Sequence, residues 1–226
     1  APGGPFQSER EIPAAAKEQL MRKYGLDQPL HRQYLSFLAN AARLDFGPSY
    51  KFPQRQVREI ILEAFPVSAE LGGWALMVAI LFGVPIGVIA AVKQNSGTDY
   101  AAMGIALAGV SVPNFVLGPL LVLGLSLTAY LLPPALWQGP ESRILPVLTL
   151  STAYVAYIAR LTRGGMLEVL RQDYIRTARA KGLSERVVVG KHALRLGILP
   201  VVSYIGPATA RILMGSIVVE SIFAVP

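Results

Sequence analysis

The chain has 226 residues, 53% of them hydrophobic and only 15% charged, with a formal net charge of +7. Soluble domains carry about 25% charged residues, so this deficit points to a membrane protein rather than an ordinary soluble domain. There is no cysteine, which excludes disulfides and thiolate metal sites, and the two imidazoles, His31 and His192, lie far apart in the chain.

Residues 1–68 are ordinary in polarity. Helical spacing of apolar positions predicts helices over 9–24 and 30–42, with Pro29 and Gly47-Pro48 as punctuation. This front segment, 1–68, reads as a small helical piece outside the membrane, and 69–226 as the membrane domain.

Residues 71–92 carry no charge, and Glu70 and Lys93 bracket them. About twenty helical residues at about 1.5 Å each cross a bilayer core of about 30 Å. Gly83 and Gly87 form a pair of small residues that lets a neighbouring helix approach closely, and Pro85 between them marks a place for a kink. After the polar loop QNSGTD, residues 100–140 are again uncharged. One spanning helix is expected over roughly 101–129, interrupted by Pro113 and Pro119 and ended by Pro133-Pro134. Backbone groups freed by such prolines find partners inside a bundle or along a water-filled path, so Pro113 and Asn114 are candidates for lining one. A third span begins near Ile144, stays uncharged to Ala159 and continues past Arg160 and Arg163 to about Leu170. A fourth covers 196–219 and holds Pro200, Pro207 and a single charge, Arg211.

Orientation follows from the loops. Lys93 and the basic cluster from Arg160 to Arg195 fall between spans one and two and between spans three and four. The loop between spans two and three holds only Glu141 and Arg143. Lys and Arg collect on the cytoplasmic side, so 160–195 is expected in the cytoplasm and 1–68 on the periplasmic or extracellular side. The nine Lys and Arg residues of 1–68 do not contradict this, because loops of that length largely escape the rule. The chain opens on Ala1 and stops at Pro226 in a turn-like segment, and it reads as a piece cut at both ends, with a further span expected ahead of Ala1.

Seven Lys and Arg residues crowd the stretch from Arg171 to Arg195, whose pattern is helix, turn at Gly182, helix. A DNA-reading helix pair needs room to enter a major groove, and this one is tethered by spans on both sides, so no nucleic acid is expected. A helix lying on anionic membrane lipid accounts for the charge, but not for Gly182 at the joint or for the small residues Ala178 and Ala180. A compact, positively charged bracket suits the docking of a soluble cytoplasmic partner.

Here the chain resembles a known family. Arg176-Thr177-Ala178, three residues, Gly182, the nine residues from Leu183 to Lys191 and then His192-Ala193-Leu194-Arg195 are similar to the cytoplasmic signature of binding-protein-dependent ABC importer permeases. That signature is E-A-A, three residues, G, nine residues and an I-x-L-P-like ending; Arg176 replaces the Glu and Arg195 the terminal Pro. IRTARAKGL with HAL resembles the oligopeptide and dipeptide branch of the family. So do PGGPF, LDFGPSYK, FPVSAELG, GVIAAVKQN, ARLTRGGMLEVL, LPVVSYIGPA and GSIVVESIF, so that the likeness covers essentially the whole chain. The resemblance implies an all-α polytopic membrane helix bundle of the type I ABC importer permease kind, with four spans of a six-helix core present here. It also implies a heterodimer with a second permease subunit, two cytoplasmic ATPase subunits, an extracytoplasmic peptide-binding protein and peptide transport across the cell inner membrane. Within a coupling loop over 171–195, Arg176, Thr177, Ala178, Arg179, Ala180, Lys181 and Gly182, with Arg186 beside them, would then enter a groove on an ATPase subunit.

The chain shows no catalytic pattern of its own. In the only G-K pair that could end a phosphate loop, Gly190-Lys191, the next residue is His192, and Glu185 occupies the required first Gly position. H-E-x-x-H, G-x-S-x-G and G-x-G-x-x-G are also missing. No enzymatic activity, metal or cofactor is expected. Arg211 leaves two readings open. Arg near a bilayer centre costs roughly 2.5–3.5 kcal/mol on insertion scales, so its guanidinium either snorkels or pairs with a neighbour, or else faces the translocation path. In the second case it would attract a peptide's terminal carboxylate through two parallel hydrogen bonds, with Pro207 nearby and with Ala208, Thr209 and Gly215 small enough to leave water around it. Two other functions stay open as well. One is a membrane-anchored binding or signalling protein that recruits a soluble partner through the basic loop; the other is a same-family permease for nickel, glutathione or a sugar oligomer. Proline-rich spans favour transport.

Overall fold

The computed structural model describes residues 27–49, 52, 54–213 and 217–226. The expected helix over 9–24 lies outside the described residues, as does Gly215. Among the described residues every regular element is helical, apart from an isolated bridge between Pro48 and Gln56. The chain divides into two compact units, Ala1–Phe65 and Pro66–Pro226.

In the first unit, helix α1 (Leu30–Ala41) follows Pro29, as its spacing predicts. The chain turns after it through Gly47, at φ +72°, where Asp45 Oδ1 accepts from the Gly47 N–H at 3.0 Å. Arg55 and Glu63 form an ion pair at the start of the next helix.

That helix, α2 (Val57–Val92), begins well ahead of the expected start at Leu71 and runs unbroken through both Pro66 and Pro85. Its buried positions Leu71, Ala75, Ala79, Gly83, Gly87 and Ala91 recur every four residues and draw one stripe down the helix, of small residues from Ala75 onward. Helix α5 (Ile144–Leu170) lies against that stripe and matches the third expected span. A Cβ added at Gly83 would stand 2.8 Å from Ile158 Cγ2, and one at Gly87 2.5 Å from the Ala159 carbonyl oxygen. The paired glycines therefore set how closely the two longest helices approach.

The second span is not one helix. Helix α3 (Gly97–Ser111) ends at Val112; α4 (Asn114–Leu121) follows and runs on into a π-helical stretch over Val122–Thr128. The two halves meet at 103°. Proline forces its predecessor out of the helical region, and Val112 is extended at φ −88°, ψ 114°. Pro119 sits inside α4 without ending it.

The fourth span is broken too. Helix α6 (Asp173–Ala180) leads through Gly182 to α7 (Glu185–Val187), a π-helical stretch over Val188–Ala193, and α8 (Leu194–Gly197). Helix α9 (Leu199–Leu213) then departs at 48° from the segment Glu185–Gly197, and α10 (Ile217–Ile222) follows. Pro200 falls in the first turn of α9, where a missing N–H leaves no bond unmade.

Two helical segments, Val57–Val92 and Glu141–Leu170, are individually long and apolar enough to cross a membrane. Packing tells what the bent pairs do. Leu71 and Leu145, near the first apolar turns of α2 and α5, share one cluster, and Ala91 and Met166, near their far ends, share another. The two helices therefore run parallel, and the chain must cross back between them. Asp99 contacts Arg163 at the far end of α5, whereas Leu121, Val122, Leu125 and Leu132 pack on the Leu145 cluster at the near end. The last bent pair likewise starts at Val188 in the far cluster, and α10 reaches the near one through Val219. Each bent pair thus reaches from one end of the α2–α5 pair to the other, and the described residues hold up to four crossings.

Candidate functional site

The basic bracket is held by its apolar side. On α6, Ile175 and Ala178 are buried with Ala91, Met166, Val188 and Ala193. The helix ends in two bonds of a Schellman motif: Leu183 N–H donates to the Ala178 carbonyl at 3.4 Å and Gly182 N–H to the Arg179 carbonyl at 2.9 Å. This closure needs Gly182 at φ +78°, a left-handed conformation that disfavours any residue with a Cβ. Across the turn, Arg179 Nη2 donates to Glu185 Oε1 at 2.6 Å and its Nε contacts both carboxylate oxygens, tying the two arms together. The hydrogen bond to Glu185 raises the Arg179 pKa still further above its ordinary value. Arg176, Thr177, Ala180, Lys181, Gly182 and Arg186 are exposed, whereas Ala178 faces inward. The sequence-predicted coupling residues therefore form one outward surface with a single inward anchor.

At the same end of the bundle, Asp99 is 1% exposed and receives Arg163 Nε and Nη2 at 2.7 Å each. The Asn95 N–H also donates to Asp99 Oδ2, at 3.0 Å.

Further along, the break at Pro113 and the interior of α9 open a cavity of about 370 Å³. Arg211 and Asn114 both line it, together with Tyr154, Tyr157 and Tyr204. The Tyr157 and Tyr204 rings lie 4.4 Å apart between centroids, and the Arg160 guanidinium sits 5.5 Å from the Tyr157 ring. No carboxylate lines the cavity, and among the described residues none forms an ion pair with Arg211. Pro113 creates the opening without lining it, and Pro207 is exposed elsewhere on α9. Ala208 is fully buried and Thr209 Oγ1 bonds the Ile205 carbonyl at 2.8 Å, so the expectation that Ala208 leaves water around Arg211 does not hold; the tyrosines bound that space instead. Among the described residues no group of three or more His, Cys, Asp or Glu could hold a metal ion.

Residues 83–226 match the family of the binding-protein-dependent transport system inner membrane component. The chain belongs to this family. The chain is 47% identical over 228 residues to the oligopeptide transport system permease protein OppB of Salmonella typhimurium and to that of Escherichia coli K12, covering 100% of this chain and 74% of each relative. It is 46% identical over 225 residues to the dipeptide transport system permease protein DppB of Bacillus subtilis, covering 100% of this chain and 73% of that one.

In this inner-membrane permease component, two features escaped the sequence reading. The Asp99–Arg163 pair joins residues 64 positions apart, and only a local sign was available: Ser96-x-x-Asp99 has the spacing of a helix-capping box. The tyrosines were hidden because Tyr154 and Tyr157 sit within an uncharged run read as one spanning helix.

Proposed function

We propose that this chain forms the membrane path of an ATP-driven peptide importer and receives the ATPase stroke through its basic bracket. The observation that carries this reading is similarity along the whole chain to permeases named for oligopeptide and dipeptide transport. The geometry supports it in two places. A cavity lined by Asn114, three tyrosines and an Arg211 that has no ion-pair partner among the described residues, without a carboxylate, suits a ligand with a terminal carboxylate and a polar backbone. An exposed basic surface closed by Gly182 and clamped by Arg179 and Glu185 suits a partner that pushes on it as a rigid piece. The partners of this reading are a second permease subunit, two cytoplasmic ATPase subunits and an extracytoplasmic binding protein. In it, 160–195 faces the cytoplasm and 1–68 the opposite side. The test is uptake of labelled peptides into vesicles that hold the full-length chain with these partners and internal ATP. ATP-dependent accumulation of peptide supports the reading. Accumulation of a non-peptide solute alone would overturn its substrate half.

A further inference from the structure

A second cavity, of about 380 Å³, lies where the apolar run of α2 ends. Val88, Ile89 and Val92 form one wall and Val189 the other, while Lys93 and Arg186 stand at the rim. Glu185 also borders it, but its carboxylate is taken by three contacts from Arg179. Among the described residues, neither Lys93 nor Arg186 has an ion-pair partner. Two free cations thus crown an apolar groove. Ile89 and Val92, on its wall, are 47% and 46% exposed. A lipid uses both parts at once, an acyl chain on the apolar wall and a headgroup on the cations.

We infer that this groove binds one anionic phospholipid, with an acyl chain against Val88, Ile89, Val92 and Val189 and the phosphate between Lys93 and Arg186. Cations beside an apolar wall at the membrane boundary favour a negatively charged headgroup over a zwitterionic one. Occupancy would fill the gap between α2 and the second arm of the bracket, so the lipid would brace the bracket against the bundle.

The experiment uses the assembled transporter, purified with its partner subunits and placed in phosphatidylcholine nanodiscs that carry a trace of photoactivatable phosphatidylglycerol. After illumination, labelled peptides are mapped. Labelling is expected at 88–92 and 187–190, and an excess of inorganic phosphate should not reduce it. Lys93→Gln alone should weaken it about fivefold, and Lys93→Gln with Arg186→Gln by about thirtyfold, given roughly one kcal/mol for each cation near an anionic surface. Arg171→Gln, which removes a cation outside the groove, should leave labelling unchanged. Size-exclusion chromatography verifies assembly of each variant. Equal labelling by a photoactivatable phosphatidylcholine would overturn the inference, since the groove would then hold lipid without regard to charge. Labelling that appears only after the ATPase subunits are stripped away would also overturn it, because the groove would then be a protein interface.

Discussion

Arg163 on α5 holds Asp99 at the start of α3 through two parallel hydrogen bonds of 2.7 Å, Nε to Oδ1 and Nη2 to Oδ2. The geometry is the planar fork that Arg forms with a carboxylate and Lys does not. Removing one partner of a buried pair leaves the other charge stranded, which is worse than removing both. Arg163→Ala should therefore lower the thermal stability of the detergent-solubilised protein by several degrees. Asp99→Asn combined with Arg163→Gln should recover a substantial part of that loss. If the double variant is no more stable than Arg163→Ala, the pair is not what joins α3 to α5.

Gly182 tests the bracket. No atom lies within 4 Å of a Cβ built there, so a side chain would meet open space and the penalty is conformational. A left-handed residue with a Cβ costs roughly 1–2 kcal/mol, less for Asn. Gly182→Leu should insert into the membrane normally, yet lose peptide uptake and the stimulation of ATP hydrolysis by substrate. Gly182→Asn should retain much of both. Normal uptake by the Leu variant would remove the bracket from the coupling role.

The α2 stripe offers an internal contrast. Gly87→Ala places a methyl 2.5 Å from the Ala159 carbonyl oxygen and Thr162 Cβ, and overpacking of this kind typically costs about 1–3 kcal/mol. Gly73→Ala, in the same helix, meets nothing within 4 Å and should be neutral or stabilising by up to about 1 kcal/mol, because Ala favours the helix. The thermal melt of Gly87→Ala should fall below that of the parent protein, and that of Gly73→Ala should not.

Arg211 separates recognition from support. Arg211→Ala should reduce uptake of peptides with a free C-terminus several-fold more than uptake of their amidated forms, with the complex intact. Arg211→Lys keeps the charge but loses the two-pronged grip and should fall between them. Equal loss for both substrates would make the residue structural.

Sidedness has a direct probe because the chain has no cysteine. Ala39 is exposed on α1, so Ala39→Cys introduces a single reporter. A membrane-impermeant thiol reagent should label it in intact cells after permeabilisation of the outer membrane only. Labelling that requires opening of the cytoplasmic side would reverse the orientation.

Hydropathy and punctuation made the helices themselves legible. The start of 144–170 was marked by the change from Arg143 to an uncharged run, and Gly182 announced the turn of the bracket. The bends were not legible, because a count of apolar residues carries no direction. Pro113 and Pro119 occupy the same uncharged run, yet one ends a helix and the other lies within one. The difference is the backbone of the preceding residue, extended at Val112, which only tertiary packing fixes. The cavity residues illustrate the same limit. Arg211 and Asn114 were visible as odd residues in apolar company, but their meeting depends on a 103° bend that brings separate spans together.

The π-helical stretch over Val188–Ala193 lies between the bracket and α9. Wider turns spend an extra residue on each hydrogen-bonded loop, so tightening them to α-helical turns would rotate one flanking segment about the helix axis relative to the other. Gly182 and Arg179 would travel together as one body, since the closure of α6 and the Glu185 clamp both lie on the same side of that stretch. On the proposed reading, a push on the bracket's outer surface would then reach Leu199 as torque as well as displacement.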